Sequence, residues 1–206
     1  MPVLPASWAG VDLQMGASLG RDASLERQKS LIDIVRPHST GMTVILPEST
    51  LGFWTPTVGR FWRAELAQTG VTVVAGAAII NESGYDNVLV AISAEGSDVL
   101  YRERMPVPGS MWQPWRSLIG EGGGARAHFF ENPVVNIAGL RAAPLICYEQ
   151  LLVWPILQSA LHRPDAIIAV GNGWWTAGSS IIEIQRASTK AWARLFNFPL
   201  VMSFNT

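Results

Sequence analysis

Lysine is nearly absent from this chain of 206 residues: only Lys29 and Lys190 occur, so any chemistry that needs an ammonium group has two positions to draw on. Cysteine is scarcer still. Cys147 stands alone, which excludes an internal disulfide framework. The three histidines, His38, His128 and His162, lie far apart and share no metal-ligand spacing with Cys147, so no metal or other cofactor is expected. Charge of one sign is also lacking. Fifteen basic residues against sixteen acidic ones, interspersed, leave no basic face for nucleic acid or an anionic membrane. No apolar run reaches the roughly 18 residues of a membrane span, and "MPVLPASWAG" has neither the basic nor the apolar region of a signal peptide. The expectation is one soluble domain over residues 1–206, cytoplasmic or tethered within a longer parent.

What is present is apolar and aromatic. Hydrophobic residues make up 49% of the chain and nine are tryptophan, enough for one sizeable core and suggestive of a buried partner surface. Strand-like and helix-like segments alternate. "WAGVDLQMG", "MTVILPES", "VTVVAGAAII", "YDNVLVAIS" and "DVLYRERMPV" read as strands, with turns at "NESG" and "AEGS". "SLERQKSLIDIVRP" predicts a helix with Leu25, Ile32 and Val35 on its inner face. "TPTVGRFWRAELAQTG" predicts another, with Thr55 as N-cap, Pro56 at the first position and Gly70 as the stop. "VVNIAGLRAAPLICYE" predicts a hairpin closed near "AGLR", followed by a helix from about Pro155 to His162 and the strand "DAIIAVGN". A last helix, "SIIEIQRASTKAWARLF", has Ile184, Ser188, Ala191 and Leu195 at helical spacing before the strand "PLVMSFNT". The Gly-rich, aromatic stretch 109–133 is expected to be a loop over a site. Helices among hairpins imply an α/β layered fold with mixed sheets.

Functional groups of α/β sheets gather beyond strand ends, and three segments place a polar group there: Glu48 after "MTVILP", Cys147 after "APLI" and Asn172 after "AIIAVG". On these residues alone Cys147 is either a buried small hydrophobe or a nucleophile, Glu48 a helix cap or a base, and Asn172 a turn residue or a site residue.

The blocks "LPES", "LYRERMPVP", "GLRAAPLICYE" and "GNGWW" resemble, in order and approximate spacing, the signature blocks of the nitrilase or carbon–nitrogen hydrolase superfamily. "VP" after the middle block and "ICYE" are similar to its apolipoprotein N-acyltransferase branch and, more narrowly, to proteins encoded among plasmid conjugal-transfer genes. The resemblance implies an αββα four-layer sandwich and a glutamate–lysine–cysteine triad that attacks an amide, nitrile or ester carbon through the thiolate. Carried over by position, Cys147 is the nucleophile, Glu48 the base and Glu149 a second glutamate of the acyltransferase branch, with Tyr148, Asn172 and Trp175 against substrate. The family lysine falls on Glu103, and a further acidic position of that branch on Met111.

Exchanging a cation for a carboxylate about 4 Å from a thiol reverses an interaction worth roughly 4 kcal/mol at an effective dielectric near 20, which drives the thiol pKa up. Arg102 and Arg104 are the substitute cations, but on a regular strand they flank position 103 and face the other way. Two readings follow: a binding or assembly domain without triad catalysis, or an amidase or acyltransferase in which one of these arginines replaces the lysine. The partners expected are a small-molecule amide or acyl donor if the site is active, a second copy of the chain, and conjugation-machinery or membrane components. Because "PLVMSFNT" ends at residue 206, where superfamily members continue, the sandwich is expected to be truncated, with 181–206 poorly covered in a monomer.

Overall fold

The computed structural model describes residues 3–16, 24–119, 123–176 and 179–206. Strands β1 (Trp8–Gly10), β2 (Thr43–Ile45), β3 (Thr72–Asn81), β4 (Gly84–Ile92) and β5 (Ser97–Arg102) form one sheet in that order. Its first three strands are parallel and the rest antiparallel. Strands β6 (Val135–Ile137), β7 (Leu140–Ile146), β8 (Ala166–Asn172) and β9 (Leu200–Asn205) form a second, with an antiparallel β6–β7 hairpin leading into parallel β7–β8–β9. The hairpin turns at Ala138 and Gly139, both at positive φ.

Alternation along the strands assigns each side chain to a layer. Val44, Leu46, Val73, Ala75, Val88 and Val90 pack outward with Leu31, Ile32 and Val35 of α1 (Leu25–Val35) and Trp62 and Leu66 of α2 (Pro56–Leu66). Their neighbours Ile45, Val74, Leu89 and Tyr101 face Ile146, Ile168, Val170 and Val201 of the other sheet. Ala143, Leu145 and Ile167 pack on Ile156 of α3 (Val153–Leu161) and Ala193 of α4 (Ile181–Phe196). The result is the expected helix–sheet–sheet–helix sandwich. The sheets close tightly at β1: a Cβ at Gly10 would lie 2.1 Å from the Met202 carbonyl oxygen.

The helix starts follow the sequence, whereas α2 ends at Leu66 with Ala67 as its C-cap, ahead of the expected stop at Gly70. Thr55 accepts a hydrogen bond from the Val58 N–H at 3.3 Å, with Pro56 opening α2, and Ser24 accepts from Arg27 N–H at the start of α1. Two expected faces are wrong. Leu25 is exposed in the first turn of α1, where it precedes the sheet contact. In α4 the buried stripe is Ile182, Gln185, Thr189 and Ala193, while Ile184 and Leu195 are exposed. Spacing alone favoured the more apolar stripe, but the sheet takes small and polar side chains at this contact.

The edge of β9 is also better covered than expected. Residues 11–15 run beside its second half: Leu13 N–H donates to Phe204 O and Thr206 N–H to Leu13 O, both at 2.9 Å. Phe204 N–H donates to Asp12 Oδ1, also at 2.9 Å. Among the described residues no helix is long and apolar enough to cross a membrane.

Candidate active site

β2 ends in the turn Pro47–Glu48–Ser49, with Ser49 at φ 58°. Thr50 Oγ1 and Gly76 N–H both donate to Pro47 O. A Cβ at Gly76 would lie 2.4–2.7 Å from the backbone of Glu48 and Ser49, so only glycine lets β3 pass this close and hold the turn. Cys147 leaves β7 at φ 46° and opens a 3-10 turn over Cys147–Leu151. That strained, left-handed backbone points the sulfur into the layer between the sheets, where it is 6% exposed. Glu103 follows the last residue of β5, its N–H donating to Asn87 O.

The structure therefore brings together Glu48, Glu103 and Cys147 from three strand ends. Asn87, on β4, joins two of them: its Nδ2 donates 2.8 Å to Glu48 Oε1 and 3.0 Å to Glu103 Oε2. The Cys147 thiol and the backbone of Asn172 also lie near enough to Glu48 to draw its pKa down. Gln185 Nε2 lies 3.5 Å from the sulfur. Glu48 Oε2, Glu103 Oε1 and Gln185 Oε1 are buried without a donor among the described residues.

Glu149, the second glutamate that the resemblance implied, ties two strand ends together. Its carboxylate is wholly buried and accepts from Ile146 N–H (2.8 Å), Arg104 N–H (2.7 Å), Met105 N–H (3.2 Å) and the Tyr101 hydroxyl (2.7 Å). It clamps the turn at Cys147 to the end of β5.

Neither candidate arginine lies at the sulfur. Arg102 pairs with Asp86 at 2.6 Å. The buried Arg104 donates to the Tyr101 hydroxyl (2.9 Å), Gln158 Oε1 (2.9 Å), Pro144 O (3.2 Å) and Ser159 Oγ (3.1 Å). Arg102 projects to the outer face, as strand alternation requires, and Arg104 reaches across to β7 and α3.

The electrostatics follow from this inventory. Burial pushes the Glu48 carboxyl up to about 7, against the pull of Asn87, the Cys147 thiol and the Asn172 backbone. Burial, then the charges of Glu149 and Glu48, hold Glu103 well above the carboxylate range. Burial, then the charges of Glu48 and Glu103, push the Cys147 thiol well above its ordinary value. Such a thiol stays protonated at neutral pH.

Asn172 is buried and accepts from Asn205 Nδ2 at 2.9 Å, and Tyr148 is half-buried beside Cys147. The side chain of Trp175 lies outside the described residues. Sequence reasoning missed Asn87 and Gln185. The signal for Gln185 was a lone amide in the stripe 182, 185, 189, 193. For Asn87 it was the polar pair Asp86–Asn87 at the head of an apolar strand. Among the described residues no group of three or more His, Cys, Asp or Glu side chains could hold a metal ion.

Segment 109–133, whose residues 120–122 lie outside the described residues, takes over as β4's partner where β5 departs. Tyr85 N–H donates to Gly124 O, Arg126 N–H to Tyr85 O, and His128 N–H to Glu103 O at 3.3 Å. Asp86 anchors it through Arg126 and through His128 Nε2 at 2.8 Å. The expected loop over the site thus lies against Glu103.

The carbon–nitrogen hydrolase family profile matches residues 2–194. The chain is 62% identical over 205 residues to a probable conjugal transfer protein TraB of Sinorhizobium fredii, covering 98% of this chain and 53% of that protein. It is 59% identical over 207 residues to the conjugal transfer protein TraB of Agrobacterium fabrum, covering 100% and 49%. The chain thus spans about half the length of these curated relatives. Among solved structures it is similar to an amidase from Nesterenkonia sp. (TM-score 0.64, 12% identity, 100% of this chain and 79% of that one). That structure carries the acetamide moiety of fluoroacetamide on its active-site cysteine. It is also similar to a Helicobacter pylori carbon–nitrogen hydrolase (TM-score 0.64, 14% identity, 95% and 72%).

Proposed function

This chain belongs to the carbon–nitrogen hydrolase family, and from that premise we propose that it is the nitrilase-fold domain of a conjugal-transfer protein, one that holds an amide- or acyl-class ligand at Cys147 without the family's triad catalysis. In this reading it serves as a binding or assembly module, and a second copy or a component of the conjugation machinery is its partner.

One observation carries the reading: the sulfur is surrounded by the Glu48 carboxyl, the Glu103 carboxyl and the Gln185 amide, with no side-chain cation among the contacts described for it. A thiol attacks only as thiolate, and the tetrahedral oxyanion that follows needs a positive group or strong donors. Carboxyls disfavour both species. The alternative, in which Arg102 or Arg104 replaces the lysine, requires Arg102 to leave buried Asp86 or Arg104 to leave four partners at once.

The rate of Cys147 alkylation by iodoacetamide between pH 6 and 9.5 tests the proposal. Slow labelling at neutral pH that climbs through pH 9 is expected. Fast labelling already at pH 6 would revive the enzyme reading.

A further inference from the structure

We propose that the outer face of α3, together with the C-terminal end of α4, is a docking surface for an anionic lipid bilayer, on whose headgroup layer the domain lies. The inference goes beyond the reading above and does not depend on the state of the Cys147 thiol.

From Gln150 to Leu161 the stretch "QLLVWPILQSAL" holds no charged residue. Pro155, Ile156 and Ser159 are the buried side of α3. The opposite side is Val153, Trp154, Leu157 and Leu161, at 59%, 42%, 42% and 76% exposure. A helix that is apolar all round belongs in a protein core or in lipid, and the sheet covers only one side of this one. Phe130, 79% exposed, extends the face at the start of α3: its ring packs edge-on against Trp154, with centroids 5.9 Å apart. Single apolar residues are ordinary on a protein surface, but a contiguous set marks a contact.

The cations point to what covers it. β7, β8 and β9 are parallel, and α3 and α4 connect them in turn. Both helices therefore run back along the sheet and finish at the same end of it. There the fold gathers bases that the sequence disperses. Arg163 is exposed just past α3, Lys190 and Arg194 are exposed in the last two turns of α4, and Arg141, exposed at the start of β7, donates to His162 O. Leu161 and the 67% exposed Leu195 stand among them. Asp165 is the exposed acid of this end, with one carboxylate oxygen on the Arg141 N–H at 2.8 Å. Glu183, in the first turn of α4, and Glu131, next to Phe130, lie toward the opposite end. Leucines set among cations meet both demands of an anionic bilayer: the basic groups reach lipid phosphates while the apolar side chains enter the acyl boundary. A second copy of the chain fits less well. Protein interfaces carry about one hydrogen bond per 100–200 Å², yet the polar groups along α3 are already engaged within the chain: the Trp154 indole donates to Phe129 O, and Gln158 Oε1 and Ser159 Oγ accept from Arg104.

Co-sedimentation of the whole chain with lipid vesicles tests the inference. One set of vesicles is phosphatidylcholine alone, the other three parts phosphatidylcholine to one of phosphatidylglycerol. Binding is measured at about 0.1 M and about 1 M salt, between which the Debye length falls from about 10 Å to about 3 Å. Binding to the anionic vesicles at low salt is expected, and it should fall at least about tenfold at high salt or on the neutral vesicles. Leu157→Glu and Leu161→Glu, both at exposed positions, should each weaken it at least about tenfold, and either serves if the other does not fold. Arg163→Glu combined with Arg194→Glu should weaken it as much. Ile80→Glu, at an exposed residue of the other sheet, should leave it unchanged. Absence of binding to anionic vesicles, or binding that survives both leucine changes, would overturn the inference. So would a dimer in sedimentation equilibrium that Leu161→Glu dissociates and that binds no vesicles, since a second copy would then cover the face.

Discussion

Asn87 shares a single amide nitrogen between Glu48 and Glu103, at 2.8 Å and 3.0 Å, and so bridges two buried carboxyls with a neutral donor. A lysine at position 103 would have paired with Glu48 directly. With a glutamate there, the amide supplies the donor both acids need. Asn87→Ala should therefore cost about 1–3 kcal/mol for each acceptor stranded. The loss should be larger at pH 8 than at pH 5, where the acids are protonated. Urea melts at the two pH values check this.

Glu48 makes the folded state sensitive to alkali. Its folded pKa, about 7, exceeds the ordinary carboxyl value of 4.5, so between those values the folded chain binds a proton that the unfolded chain has released. Stability contributed at pH 4 declines as pH rises through that window and is flat above it. The loss is on the order of a few kcal/mol, and Glu103 adds in the same direction. Glu48→Gln should flatten the profile, as measured by denaturant midpoints from pH 4.5 to 8.

Glu103→Lys restores the family's charge beside the sulfur. Its ammonium can reach the Glu48 carboxyl in place of the Asn87 bridge, and the Cys147 thiol loses one of the charges that raise its pKa. Labelling at pH 7 should accelerate at least about tenfold. Any amidase or esterase activity gained should vanish with Cys147→Ser or Glu48→Gln, and activity surviving either change would show that the three positions do not act together.

Arg104 is a structural cation. It lies 3.9 Å from Glu149 in a wholly buried pair, and Arg104→Met would leave that carboxylate with backbone and phenol donors but no counter-charge. A loss of about 3–5 kcal/mol is expected. A smaller loss, seen in the denaturant midpoint, would show that the four donors alone suffice.

Asp86 is a latch for segment 109–133. Burial opposes its charge, but hydrogen bonds from Arg126 and His128 outweigh that and hold its carboxyl below the usual range. The stability it confers is present at neutral pH and lost as pH falls through that lowered value. Asp86→Asn should expose segment 109–133 to limited proteolysis at pH 7 with the rest of the chain intact.

The layers of the sandwich were legible through the family resemblance and the interleaving of helices with strands, since 43–46, 71–77 and 142–146 are apolar on both faces and announce burial without assigning a layer, and the cap of α2 because Thr55–Pro56 admits few readings. Glu48 and Cys147 were legible because each follows an apolar strand, and Glu103 because it falls on the lysine position of the family that the chain resembles. Two things were hidden. The buried face of α4 carries Gln185 and Thr189, and no apolar periodicity announces a face chosen to reach a sulfur and a neighbouring glutamine. The role of Glu149 was hidden as well, since its donors come from residues 101, 104, 105 and 146, two sequence regions that only the packing of the sheets makes neighbours.

The stretch beside β9 ties residues 11–15 to 203–206 across about 190 positions. Bonds of that span form only after the intervening chain has been gathered, and they enter the folding reaction late. Until then the second half of β9 keeps an open edge. The window in which that edge is free to pair with a stranger is thus set by how soon residues 11–15 reach it.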